Sequence, residues 1–259
     1  PNQTGATENQ ETEWKRFIKD PLNIPVHLLN IQTFWDGAVS IFDSVFTNDR
    51  TAVKSGHSLS KDWTGGVLVL TWLIKYYPHA KVICTAPKME QVKNIMFEEI
   101  EKQYDALAEM FPEFRTDWLT TTKLEFEKEC YAIGMTSRDS GGKMGKMMGF
   151  KSPNILILVT EAQSVDDVIF DQFEGLTTSG NARILEIGNP ISPMGRFWEH
   201  CINARYGYNV ITLSCLESPN YKTGMEVIPG LVSKKWVEYH RRIWGEDHPY
   251  WYGRVLGEF

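Results

Sequence analysis

Lys61 is the residue around which the chemistry of this sequence gathers. It lies in Arg50-Thr-Ala-Val-Lys-Ser-Gly-His-Ser-Leu-Ser-Lys-Asp-Trp-Thr-Gly-Gly66, where a short apolar strand runs into a serine and glycine turn, a lysine and an amphipathic helix. That is the layout of a phosphate-binding loop, in which backbone N–H groups at a helix N-terminus hold anionic oxygens beside one mobile cation. Counted against G-x-x-x-x-G-K-[ST], the lysine falls on Lys61, Ser55 and Ser60 occupy the two glycine positions, and Asp62 stands where a metal-binding hydroxyl is expected. Serine still supplies an N–H, so the physics of the loop survives the departure from the pattern. A plain strand–turn–helix with an N-capping Asp62 fits the same residues.

Glu161 is the second candidate. In Ile155-Leu-Ile-Leu-Val-Thr-Glu-Ala-Gln163, five apolar residues predict a strand buried on both faces, with polar side chains appearing at its carboxyl end. Ligands of open α/β sheets bind at that end. A third stretch, Ser137-Arg-Asp-Ser-Gly-Gly-Lys-Met-Gly-Lys-Met-Met-Gly-Phe150, has no periodicity and reads either as a functional loop or as a surface connection.

The elements that must position these groups alternate. After a polar start (Pro1 to Glu11) and a short helix over Trp14 to Asp20, Pro21 to Pro25 breaks the pattern before a helix over Phe34 to Phe46. Strands follow at Arg50–Lys54 and Ala80–Thr85, around Leu124–Phe126 and Tyr131–Met135, and at Arg183–Ile187 and Asn209–Ser214. Helices are expected over Lys61–Tyr77, Lys88–Phe111, Val165–Gly175, Met194–Ala204 and Ser233–Trp244. Such alternation predicts a parallel sheet. The 259 residues, 42% hydrophobic and 23% charged, suffice for one large α/β domain with a small appendage. A net charge of −6 argues against a surface that coats nucleic acid everywhere, leaving room for a local basic patch. Four scattered cysteines give neither zinc nor disulfide spacing and fit a reducing compartment, and no apolar run approaches the roughly 20 residues that span a bilayer.

With the loop at 55–62, the Ile155–Gln163 strand, the turn Ile187-Gly-Asn-Pro190 and the segment Arg254-Val-Leu-Gly-Glu-Phe259 in this order, the chain resembles the ATPase domain of tailed-phage large terminase subunits, the motors of viral DNA packaging. The resemblance runs from about Phe34 onward. It implies a RecA-like P-loop core of the additional-strand type, α/β with a mostly parallel sheet, and a small C-terminal lid subdomain. The expected division is a polar segment with a short helix over 1–33, an ATPase core over 34–205, and a last strand with lid or linker over 206–259. The nuclease domain that follows in the family is expected to be absent.

Carried over by position, Lys61 would contact the β/γ-phosphates of ATP, and the N–H groups of Gly56, His57, Ser58, Leu59, Ser60 and Lys61, beginning beside Ser55, would cradle them. Glu161 would orient the attacking water, and Gly188 with Asn189 would form the coupling motif that senses γ-phosphate. Arg138 is the candidate arginine finger acting on a neighbouring subunit. Gln32 and Trp35 are the candidates beside the adenine, with Asp36 an alternative by offset. Lys143, Lys146 and Lys151 are candidate contacts to DNA phosphates.

The family has Thr or Ser after the lysine and Asp before the glutamate, whereas this chain has Asp62 and Thr160. These positions face each other across Mg²⁺ in a P-loop fold, and a hard cation requires oxygen ligands rather than a particular segment. The exchange predicts a metal shell of Asp62 and Thr160 with Glu161 nearby, and Mg²⁺-dependent nucleotide binding. The resemblance further implies double-stranded DNA, portal protein and small terminase subunit as partners, a homo-oligomeric ring when assembled and a monomer in isolation, no membrane, and a location in the host cytoplasm and transiently at the procapsid portal. Two rivals stand beside it: a degenerate nucleotide-binding assembly module, which Ser60 favours if its position requires φ > 0, and a superfamily 2 helicase, for which no second RecA domain is found.

Overall fold

In the computed structural model, residues 14–136, 150–178 and 180–259 are described. Two helices, α1 (Asn23–Leu28) and α2 (Asp36–Thr47), lead into β1 (Arg50–Ser55) and α3 (Lys61–Lys75). Then come β2 (Ala80–Thr85), α4 (Glu98–Met110), β3 (Leu119–Thr120), β4 (Lys123–Glu127) and β5 (Cys130–Met135). The second half holds β6 (Asn154–Thr160), α5 (Asp167–Glu174), β7 (Asn181–Gly188), α6 (Gly195–Ile202), β8 (Asn209–Leu213) and α7 (Lys234–Trp244). The strands form one sheet in the order β3-β4-β5-β2-β6-β7-β1-β8. It is parallel from β5 to β8, and at the other edge β4 runs against the rest, pairing antiparallel with both β5 and β3. The α/β expectation with a mostly parallel sheet is therefore met.

The order places β7 between β6 and β1, so three adjacent strands deliver the Glu161, Asn189 and Gly56 ends to one edge. Strand alternation assigns the faces. Leu156 and Leu158 pack into the core shared with α2, α3 and α4, whereas Ile155, Ile157 and Val159 pack with α5 and α6. Thr160 continues the first set and lies on the α3 face. Helix α3 approaches closely enough that a Cβ on Gly66 would stand 3.2 Å from the Glu99 backbone carbon. Glycine there offsets its helix penalty of about 1 kcal/mol by permitting the contact. From the C-terminal segment, Leu231, Val232, Val237, Trp251 and Val255 join the same core as α3. No helix among the described residues is long and apolar enough to cross a membrane.

Two expectations are corrected and one is refined. The stretch at Pro21–Pro25 holds a helix, α1, because Pro25 is its third residue, where the missing N–H has no intrahelical acceptor to serve. The helix expected over 88–111 is present from Met89 to Met110, but Val92–Phe97, ahead of α4, is π-helical. The helix expected over 14–20 is a single 3₁₀ turn, Trp14–Arg16.

Candidate functional site

Strand β1 ends at Ser55, and the next five residues turn back to start α3 at Lys61. Ser58 (φ 51°) and Ser60 (φ 58°) take left-handed backbone conformations, at a cost of about 1–2 kcal/mol each for residues with a Cβ. The condition on Ser60 is thus met: the position is one that glycine would hold without strain. Serine holds it nonetheless, and keeps the N–H in place.

The loop is strapped to the C-terminal segment. The Gly56 N–H donates to Leu213 O at 2.9 Å, the His57 N–H to Arg254 O at 2.8 Å, and the Val232 N–H to Ser58 O at 2.8 Å. This corrects the expected cradle: the Gly56 and His57 N–H groups are already engaged. Ser55 is likewise withdrawn, its hydroxyl donating to Gly56 O and its carbonyl accepting from Asn189. Among the described residues, the N–H groups of Ser58, Leu59, Ser60 and Lys61 meet no acceptor.

These groups line a cleft of about 450 Å³ that also receives His57, Asp62, Glu99, Glu161 and Asn189. Lys61 is 9% exposed, with its Nζ 3.4 Å from Asn189 Oδ1. Asn189 in turn donates from Nδ2 to Ser55 O at 2.6 Å. Glu161 leaves β6 at φ 51° and ψ 40°, a third left-handed residue at the cleft's wall. Its Oε2 accepts from Gln163 Nε2 at 2.7 Å. Burial raises the Asp62 carboxyl above its ordinary value against the opposing Lys61 charge, and the Glu161 and Glu99 carboxylates raise it further. His57 is pushed the other way, by burial and then by the Lys61 and Arg254 charges.

A second hollow of about 370 Å³ adjoins the cleft through Ser60, Trp63 and Gly230. Trp35 lines it, opposite Ile228 and Pro229. Gln32 does not: it is exposed, and its amide is bonded to Asn30 at 2.9 Å. Lys151 sits just before the amino end of β6, away from the carboxyl-end cleft, where its carbonyl accepts from Lys81. Arg138, Lys143 and Lys146 lie outside the described residues. Sequence reasoning missed Glu99, Gln163 and the Ile228–Gly230 wall; of these, only the Pro229-Gly230 turn pair carried a local signal.

No family model matches the chain. A probable terminase large subunit of Enterobacteria phage P7 is 29% identical over 220 residues, which are 81% of this chain and 42% of that protein. The chain therefore spans less than half the length of that relative. The large terminase ATPase domain of Thermus phage P74-26 superposes with a TM-score of 0.63 at 14% identity, over 90% of this chain and 96% of that one. The large terminase of bacteriophage HK97 gives 0.62 at 13% identity, over 86% of this chain and 49% of that one. That of a thermophilic bacteriophage solved with ADP gives 0.62 at 10% identity, over 86% and 53%. The chain is thus similar in sequence to a probable terminase large subunit and in fold to large terminase ATPase domains.

Proposed function

We propose that this chain is the motor domain of a DNA-packaging terminase, hydrolysing Mg-ATP to drive double-stranded DNA into a procapsid. The observation that carries the reading is the meeting of Lys61, Glu161 and Asn189 in one cleft at the carboxyl ends of adjacent strands. Structural relatives solved with ADP and with ATP-γ-S add support. The proposed partners are portal protein and small terminase subunit, with a ring of copies assembling at the portal in the host cytoplasm. Arg138 is proposed as the finger supplied to a neighbour, and Lys143 and Lys146 as contacts to DNA.

In this reading the triphosphate lies along the free N–H groups of residues 58–61, with Lys61 against its β/γ oxygens. The base enters the hollow beside Trp35, leaving Gln32 outside. Glu161 orients a water for attack on the γ-phosphorus and draws off its proton as the bond to the ADP oxygen breaks. Asn189 contacts Lys61 and Ser55, so a change at the γ-phosphate reaches β7 directly.

The donor chemistry fits Mg²⁺. Among the described residues no cluster of three His, Cys, Asp or Glu is preformed. A P-loop Mg²⁺ needs none, because phosphate and water supply most of its shell. Asp62, facing the cleft with Glu161 and Glu99 close enough to raise it, is the carboxylate for that role, and Thr160, on the α3 face, is its proposed hydroxyl partner. When bound, the ion neutralises charge on the β and γ oxygens.

Calorimetry with a non-hydrolysable ATP analogue, with and without Mg²⁺, tests the exchange. Asp62→Ala is expected to lose about tenfold or more of the Mg²⁺-dependent affinity, and Asp62→Thr/Thr160→Asp to regain it. Equal binding with and without Mg²⁺, undiminished in Asp62→Ala, would instead mark a degenerate loop.

A further inference from the structure

We propose that Gln163 is a positioning residue for hydrolysis, tying the Glu161 carboxylate to the end of β7. The inference rests on the catalytic reading of Glu161 above. Both ends of the Gln163 amide are engaged: Nε2 donates to Glu161 Oε2 at 2.7 Å, and Oε1 accepts the Asn189 N–H at 3.1 Å. Those partners fix which way the amide points. Reversed, it would set its NH₂ against a backbone donor and its oxygen against a carboxylate.

Space for the amide comes from Gly188. A Cβ at that position would stand 2.4 Å from Gln163 Oε1 and 3.0 Å from the Phe197 ring. Asn189 continues the connection through its side chain, to Ser55 O at 2.6 Å and Lys61 Nζ at 3.4 Å. A single hydrogen-bonded path thus runs from Lys61 through Asn189 and Gln163 to Glu161, crossing three strands. It links the group placed to feel the γ-phosphate with the group placed to activate water.

The engagement of Oε2 has a chemical consequence. It leaves the other Glu161 oxygen to accept from water and restricts rotation of the carboxylate, which a side chain leaving the strand at φ 51° does not achieve by itself. A residue that only satisfied the Asn189 N–H would serve the fold and leave the rate alone.

Steady-state hydrolysis and analogue affinity of the full chain, in its packaging assembly, separate the two roles. Gln163→Met keeps the volume and loses both hydrogen bonds. Gln163→Glu keeps the acceptor toward Asn189 and loses the donor toward Glu161. Both are expected to lower kcat about 10- to 100-fold while analogue affinity stays within about twofold. Gly188→Ala, which crowds the amide, is expected to act in the same direction. Gln163→Glu at wild-type kcat, or Gln163→Met with kcat within about twofold of wild type, overturns the proposal. Loss of affinity and thermal stability in step, with kcat retained, also overturns it. Glu161→Gln is the control. If it turns over ATP as the wild type does, the catalytic reading itself fails; if it is inactive beside a fully active Gln163→Met, only the positioning role fails.

Discussion

Strand β7 carries two polar assemblies that teach opposite lessons. In mid-strand, Glu186 is 0% exposed on the face covered by α5 and α6. His200 Nδ1 stands 3.0 Å from both of its oxygens, and the Tyr208 hydroxyl donates to Oε1. Tyr208 stacks on His200, with ring centroids 4.4 Å apart, and the Arg50 guanidinium lies over Tyr208 while pairing twice with Glu174. Burial raises the Glu186 carboxyl, opposed by its His200 and Tyr208 hydrogen bonds. Two residues beyond, at the carboxyl end, the polar groups are under-partnered: Lys61 has a 3.4 Å contact, Asp62 has no ion pair among the described residues, and the N–H groups of four residues lining the cleft meet no acceptor there. A buried carboxylate with both oxygens hydrogen-bonded from within the protein is structure; charges and donors left open around a cleft await a ligand.

The comparison breaks most visibly at Glu186. Glu186→Ala strands His200 and Tyr208 in the interior and is expected to cost about 3–5 kcal/mol, the range for removing one partner of a buried ionic group. Denaturant unfolding gives the loss directly, and ATP turnover per folded molecule should match the wild type. A variant that stays stable but stops hydrolysing would place Glu186 in the functional machinery and erase the distinction.

A smaller effect sharpens it at the loop. Three of the left-handed residues with a Cβ, Ser58, Ser60 and Glu161, belong to the cleft. Strain of this kind collects where function over-determines the backbone. Ser60→Gly should therefore relieve about 1 kcal/mol and raise the melting temperature by roughly 2–4 °C, read by scanning calorimetry, with nucleotide affinity unchanged. A fall in melting temperature would show that the serine side chain, rather than its backbone, holds the turn.

How much of this was legible in the sequence follows from the range of the interactions. A strand such as Ile155–Val159 declares itself because burial on both faces leaves an unbroken apolar run. Glu161 and Asn189 stand out because each sits where an apolar strand meets a polar turn, and Lys61 because it sits where such a turn meets a helix. The helix containing Pro25 and the π-turn at Val92–Phe97 were hidden, since proline is tolerated in a first turn and one extra residue in a turn leaves no compositional mark. The engagement of the Gly56 and His57 N–H groups by Leu213 and Arg254 joins residues far apart in the chain, as does the Gln163 bridge to Asn189. Local pattern has no access to such pairs.

The smallest effect is the most discriminating, because Asp62 responds to pH in the free protein. Burial, Glu161 and Glu99 together raise its carboxyl in the folded state, whereas the unfolded chain titrates at the ordinary value near 3.9. Between those two values the folded state holds a proton that the unfolded state has released, so stability falls as pH rises through the window. The stabilising contribution is complete below about pH 4 and gone above the folded value. Asp62→Asn removes the titration. It should be more stable than the wild type at neutral pH in the absence of divalent cation, with the difference closing as pH falls toward about 4. Solvent at the cleft keeps the gain small. Added Mg²⁺ with nucleotide should then stabilise the wild type and leave Asp62→Asn behind, reversing the order through binding to the folded state alone. If Asp62→Asn is instead the less stable form at neutral pH without the cation, Asp62 is a paired structural carboxylate like Glu186, and the cleft is answered from within the protein.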